Sequence, residues 1–384
     1  MKSSYYKVLY VSHSSMLTGA PTSLLQIVNN MKDYNYNAIL LLPSKGPIFD
    51  KAIENNIEVR IIRRGNIELV GINTFIKMSI LEKIRFCIDY SKWIFNYLFL
   101  LKKEKISIVH VNTNHEIVSV ISAKLLGIPT IWNIREMAQK SLIFKLIIKI
   151  TACFSNKIVF VSQACKKSYE NIGLSNSEKN IVIHTGVNIN DYNVKPTLNQ
   201  NNKVILGVVG YISKIKGQDI IVNALNLIRD KMNFECHFFG SRNIDIPYNL
   251  FLENLIKNYN LGESVLFNDY KENKDEIYNS IDVLIVPSRI DSLPRVVIEG
   301  MCYCKPIIAS DVGGIGEIIK DSYNGILFDA GNYIQLAEIL LELSKNKNNM
   351  KELGDNGRIY IETHFGIESA IKKLVNVYNS VLFD

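Results

Sequence analysis

The chain has 384 residues, 47% hydrophobic and 21% charged, with 16 Phe, 19 Tyr and 2 Trp. That excludes extensive disorder and leaves room for two domain cores. The net charge of +7 hides an asymmetry: residues 1–193 carry 24 Lys and Arg against 13 Asp and Glu, and residues 194–384 carry 20 against 24.

A basic first half suggests an anionic partner there: lipid headgroups, a phosphate-bearing substrate or nucleic acid. The bland alternative is a solvated basic surface. Cys87, Cys153, Cys165, Cys236, Cys302 and Cys304 form no C-x-x-C pair. Buried thiols in a reducing compartment are therefore expected, and no metal site. The N-terminus enters a strand almost at once without signal-peptide features, and no apolar run reaches the roughly 20 residues of a spanning helix. A cytoplasmic protein is the expectation.

In chain order, residues 6–12 read as a strand, followed by the loop HSSMLTGAP and a helical run, TSLLQIVNNM. Strands follow at 37–42 and 57–62 with a helix between them. Residues 74–103 form a long helical region rich in aromatic and Lys residues. Strand 106–111, a helix from Glu116 and strand 128–134 come next, then a short basic apolar helix at 140–150. The half closes with strand 157–162, a helix from Gln163 and strand 180–184. Such alternation predicts a doubly wound parallel sheet.

Residues 187–203 are polar, Asn-rich and aperiodic, which predicts a linker between a first domain at 1–186 and a second at 204–362. Strands are expected at 204–210, 234–240, 264–268, 283–287, 306–310 and 325–329, with helices between. Helices at 332–344 and 348–362 follow. Residues 363–384 predict a last helix returning to the first domain. The fold class is α/β: two Rossmann-like domains with parallel sheets.

Ligands of such sheets sit beyond the strand carboxyl ends, where helix N-termini offer N–H groups to anions. The Gly-containing turn around Gly19 lacks the G-x-G-x-x-G fingerprint. Its counterpart, GYISKIKGQD at 210–219, puts Lys214 and Lys216 before a helix, a good diphosphate site, though without P-loop spacing. Solvated turn lysines are the competing reading.

In VLIVPSRIDSLPRVVIEGM, Asp291 and Glu299 stand eight residues apart. The helix is expected over 295–302; if Ser292 is its N-cap, with Pro294 in the first turn, Asp291 lies just outside it and Glu299 about two turns inside. The pair is then unsuited to acid–base work at one atom and suited to an extended ligand with sugar, phosphate and ribose parts. A capping Asp and an ordinary helix Glu are the structural alternative. His13, His110, Asn112, Asn133, Arg135 and Glu136 fall at or just past strand ends of the first half and are acceptor-side candidates. Helices 74–103 and 140–150 read either as core helices or as membrane-surface helices, with Lys around large apolar side chains.

VPSRIDSLPRVVIEGM, KPIIASDVGGIGEII and NGILF, with LTGAPTSLLQIV and IPTIWNIREM earlier, together resemble the retaining glycosyltransferases of family 4, the group 1 glycosyl transferases. The resemblance implies the GT-B fold of two facing Rossmann-like domains. It also implies sugar transfer from a nucleotide diphosphate sugar with retention and without a metal or other cofactor. The family's paired acidic residues fall on Asp291, contacting donor sugar, and Glu299, contacting the nucleotide ribose. Lys216 falls on its diphosphate-binding lysine, the backbone of Ser292, Leu293 and Pro294 on its phosphate contacts, and Gly19 on its N-terminal loop.

Three departures stand out. Asp replaces the commoner Glu at 291, Tyr211 stands where Arg is usual with Lys214 as a substitute charge, and Asn133 occupies the expected place of a His. The implied partners are a nucleotide-sugar donor, a glycan or lipid-linked acceptor of a cell-envelope polysaccharide pathway, and an anionic membrane surface, with no nucleic acid. The alternatives are a non-catalytic nucleotide- or glycan-binding partner of another transferase, and a sugar epimerase of related fold.

Overall fold

The computed structural model describes residues 6–63, 79–114, 116–195, 203–269 and 271–383. The chain forms two compact units, residues 1–186 with 367–384, and residues 187–366.

The first unit is a seven-stranded sheet in the order β3-β2-β1-β4-β5-β6-β7. Its strands are β1 Tyr6–Val11, β2 Tyr36–Leu42, β3 Glu58–Ile61, β4 Ile108–Val111, β5 Thr130–Ile134, β6 Lys157–Phe160 and β7 Asn180–Val182. Every pairing is parallel. Both faces are covered, which is why β4 and β5 are buried at every residue. Helices Gly19–Met31 and Ile367–Phe383 pack together, and their Leu24, Val28, Ile371 and Leu374 join one core with Val8, Leu40 and Ile131. Helix Ile80–Glu104 and helix Leu142–Phe154 both pack against helix Ile117–Leu125.

The second unit is a six-stranded parallel sheet in the order β10-β9-β8-β11-β12-β13. Here β8 is Val204–Val209, β9 Phe234–Phe239, β10 Val265–Asn268, β11 Val283–Val286, β12 Ile307–Ser310 and β13 Ile326–Phe328. Strand order reverses between β8 and β11, as it does between β1 and β4 in the first unit. Chain connections diverge at those points and leave a crevice at the strand carboxyl ends.

Two boundaries differ from expectation. Residues 187–195, read as linker, pack on the second unit: Val187 N–H donates to Phe365 O (2.9 Å), Lys195 N–H to the Asn279 side chain (3.1 Å), and Tyr192 stacks edge-on to Tyr303. Residues 196–202, the rest of that segment, lie outside the described residues. The returning helix begins at Ile367, and residues 363–366 belong to the second unit. The N-terminal part of the expected helix 74–103 falls at 74–78, outside the described residues.

Candidate active site

In the second unit, the loops after β8 and β11 converge because two glycines allow them to. Gly217 has φ +69°, and a Cβ there would lie 2.1 Å from Pro287 O. Gly313 has φ +54°, and a Cβ would lie 1.7 Å from Asp291 O. Only Gly tolerates both that backbone conformation and that approach. The result brings Lys216 Nζ to 2.6 Å from Asp291 Oδ2, with Ser288 Oγ 3.4 Å from the same oxygen.

Burial works to lower the Lys216 pKa, but the charge and hydrogen bond of Asp291 outweigh it and hold the ammonium above its ordinary value. Lys216 also lies 5.9 Å from the Tyr211 ring centroid, a cation–π contact. Helix Gln218–Ile228 begins beside this pair at Gly217, with Tyr248 Oη accepting from the Asp219 N–H at 2.9 Å, and helix Arg295–Cys302 begins at Pro294 with no side-chain cap from that residue.

The second helix corrects one expectation. Its N-cap is Pro294 (φ −70°, ψ 117°), not Ser292, two residues later than the capping pattern suggested, while the helix itself spans Arg295–Cys302. The residues before Pro294 are held instead by the Gly313 turn, with Gly314 N–H donating to Asp291 O at 3.3 Å. A residue preceding Pro is also pushed away from the α region. Glu299 is therefore little more than one turn inside.

Glu299 is buried in an ion system of its own. Arg295, one helical turn earlier, donates to Oε1 at 3.0 Å, Lys274 pairs with the same oxygen, and Tyr278 O–H donates to Oε2 at 3.1 Å. Burial pushes the Glu299 pKa up, but Lys274 and Arg295 outweigh this and hold the carboxyl below its ordinary value. Tyr278 in turn stacks on Tyr303, ring centroids 4.9 Å apart. Lys214 does not join either cluster: its side chain is exposed, while its N–H donates to Asp245 and its carbonyl accepts from Arg289. Arg289 itself is engaged by Asp219 through two bonds of 2.7 Å.

The first unit's reversal point is joined by one guanidinium bonded to neutral partners. Asn112, just past β4, donates to Ala20 O at the start of helix Gly19–Met31 (2.9 Å) and accepts from Arg135 Nε (2.7 Å). Arg135 also reaches Thr185 Oγ1 at 3.1 Å. Gly19 opens that helix at the surface, and His13 lies half-buried in the loop after β1. Glu136 accepts from the Arg135 N–H at 3.3 Å, and burial raises its pKa.

His110 and Asn133 are corrected from surface candidates to core. Both lie on strands buried at every residue, and Tyr378 of helix Ile367–Phe383 covers His110. His110 is fully buried, with Tyr378 Oη 2.8 Å from Nδ1 and Asn133 Nδ2 3.4 Å from Nε2. Burial, then the Arg135 charge, lower its pKa to about 3, so the ring is neutral. The Asn133 Oδ1 atom has no hydrogen-bond partner. Among the described residues no group of three or more His, Cys, Asp and Glu side chains could hold a metal ion.

Sequence reasoning missed Arg295, Lys274, Tyr278, Arg289 and Asp219. An i, i+4 pairing on one helix was a legible signal for Arg295 with Glu299. The others meet across elements, which spacing does not reveal.

Two parallel sheets, each reversing at its centre, with a lysine–carboxylate pair at one reversal, define the GT-B architecture. A solved structure of Anabaena HepE in complex with UDP and glucose superimposes with a TM-score of 0.83 at 19% identity, covering 98% of this chain and 100% of that one. Residues 190–360 match the family described as Glycosyl transferases group 1, and residues 18–191 match Glycosyltransferase Family 4. An uncharacterized glycosyltransferase of Methanocaldococcus jannaschii is 30% identical over 73% of this chain and 71% of its own length. The chain belongs to this glycosyltransferase family. It also resembles the Escherichia coli UDP-Gal:alpha-D-GlcNAc-diphosphoundecaprenol alpha-1,3-galactosyltransferase, at 22% identity over 98% of both chains.

Proposed function

We propose that this glycosyltransferase moves a sugar, with retention, from a nucleotide diphosphate sugar to a glycan or lipid-linked acceptor in cell-envelope polysaccharide synthesis. The observation that carries this reading is the Lys216–Asp291 pair beside the N-termini of two helices. A diphosphate entering there meets an ammonium and the positive ends of two helix dipoles, and so draws Lys216 away from Asp291. Asp291 is then free to accept from a sugar hydroxyl. As the glycosidic bond to the diphosphate breaks, charge grows on the leaving oxygen, where Lys216 and the helix N–H groups already stand. This needs no metal in the scheme.

Glu299, kept ionised by Arg295 and Lys274, accepts from ribose hydroxyls. HepE, which shares the fold, was solved with UDP and glucose, and the E. coli relative is named for a UDP-sugar and a diphosphoundecaprenol acceptor. Both support a nucleotide-sugar donor, and the second also supports a lipid-linked acceptor. Among the described residues no helix is long and apolar enough to cross one.

The test incubates purified protein with a panel of nucleotide sugars and a lipid diphosphate acceptor, with and without chelator. The expected result is chelator-insensitive release of nucleoside diphosphate from one donor and a product with the donor's anomeric configuration. Inverted product, or turnover abolished by chelator, overturns the corresponding part of the scheme.

A further inference from the structure

Helix Ile80–Glu104 exposes the wrong face. Its buried residues, Trp93, Tyr97, Leu100, Leu101 and Glu104, all lie in the C-terminal half. The outward side carries Leu81, Ile84, Ile88, Phe95 and Phe99, each exposed, with Leu81 at 79% and Phe95 at 68%. Their spacings of three, four, seven and four place them on one stripe about 27 Å long at 1.5 Å per residue. Arg85, Lys92, Lys102 and Lys103 border it, Lys103 Nζ lying 5.9 Å from the Phe99 ring centroid.

Helix Leu142–Phe154 repeats the pattern. Leu142 (81% exposed), Leu146 and Ile150 recur every four residues, with Lys145 and Lys149 alongside. Helix Ile117–Leu125 lies between these two helices and ends in exposed Lys124 and Leu125. The three helices carry eight Lys and Arg against three Asp and Glu. Of the three acids, Glu104 is buried against Arg60, and Glu82 is engaged in the Ser79 capping box. Isolated exposed apolar residues are ordinary, whereas a stripe across adjacent helices, rimmed by one sign of charge, is an interaction surface.

We propose that this three-helix face of the first unit docks on a bilayer bearing anionic lipid headgroups, with the apolar stripe at the acyl boundary and the lysines among the phosphates. The proposal rests on the lipid-linked acceptor reading above. The charge complementarity decides the occupant. A second copy of the chain would set net-positive face against net-positive face, burying Lys92, Lys145 and Lys149 among like charges. At a bilayer the same lysines extend their stems past the apolar residues and reach anionic phosphates.

The test is sedimentation of the full chain with vesicles of phosphatidylcholine alone or with 30% phosphatidylglycerol, without donor. Binding is expected only to the anionic vesicles, and to fall in 0.5 M NaCl. Phe95→Ser with Phe99→Ser lowers partitioning at least about tenfold. Lys145→Gln with Lys149→Gln lowers it roughly thirtyfold on anionic vesicles only. Nucleoside diphosphate release to a water-soluble acceptor, assayed without vesicles, stays at the parent level in both variants, so loss of docking and loss of catalysis read out separately. No binding to anionic vesicles at low salt overturns the proposal, as does a dimer in analytical ultracentrifugation that the Phe variants dissociate.

Discussion

Beyond β8 and β11 the polar groups are ions in direct contact, Lys216 with Asp291 and Glu299 with Arg295 and Lys274. Beyond β1 and β4 they are an amide, a hydroxyl and one guanidinium, over a buried neutral imidazole. The same topology therefore carries two kinds of electrostatics. A reversal point lined by paired opposite charges can exchange partners when a charged ligand arrives, since a phosphate replaces a carboxylate at similar Coulomb energy. One in which a single guanidinium bonds neutral acceptors offers an arriving anion no carboxylate to displace. The first unit's exposed basic charge lies instead on the outside of its helices, beside exposed apolar side chains.

Removing one partner from the Glu299 system strains that contrast most. Glu299→Gln leaves Arg295 and Lys274 without a counter-charge, and stability at pH 7 should fall by about 3 kcal/mol. Because the folded pKa of Glu299 lies below its ordinary 4.5, its contribution is whole above that value and disappears as pH falls through the folded one. The gap in Tm between parent and variant should close in acid, and a gap that widens there would sink the assignment.

Lys216→Met should lower kcat by about 10²–10³-fold, the scale of one lost electrostatic contact to a developing charge. Stability should change far less, because Asp291 retains some access to water. Steady-state rates with the identified donor decide this, and an unchanged kcat removes Lys216 from the chemistry.

In the first unit, the pH profile is the probe. His110 binds its proton at about 3 when folded and at 6.5 when unfolded, so stability is full above 6.5. Below that it should drop by about 1.4 kcal/mol per pH unit. His110→Gln should flatten that slope between pH 6 and 4, as read by thermal unfolding; an equal slope in both proteins would show that another group carries it.

The smallest effect is expected at Tyr211, whose ring is 40% exposed. Tyr211→Arg adds a cation at the site's rim and should tighten nucleoside diphosphate binding by no more than about fivefold by calorimetry, as for a surface pair of about 0.2–1 kcal/mol. A hundredfold gain would mean the paired site lacks a charge it needs.

The strands and most helices were legible because their signals are local: buried runs such as VLIV and IIAS, helical periodicity in QDIIVNALNLI, and a polar break after Gly186. Lys216, Asp291 and Glu299 stood out by motif. What spacing misplaced was the N-cap of helix Arg295–Cys302, put at Ser292 instead of Pro294, because the Gly313 turn, 22 residues beyond Asp291, holds the preceding loop. His110 was misplaced for a similar reason: the helix that covers it lies more than 250 residues later.

Sequence alone thus determined the two-sheet architecture, the family and the identity of the charged residues at the second unit's reversal point, since each depends on neighbours along the chain. Tertiary structure alone decided their pairing: that Lys216 meets Asp291, that Lys274 and Tyr278 meet Glu299, and that His110 is sealed in the core. Those contacts depend on distance and desolvation between segments far apart in the chain, which no local pattern encodes.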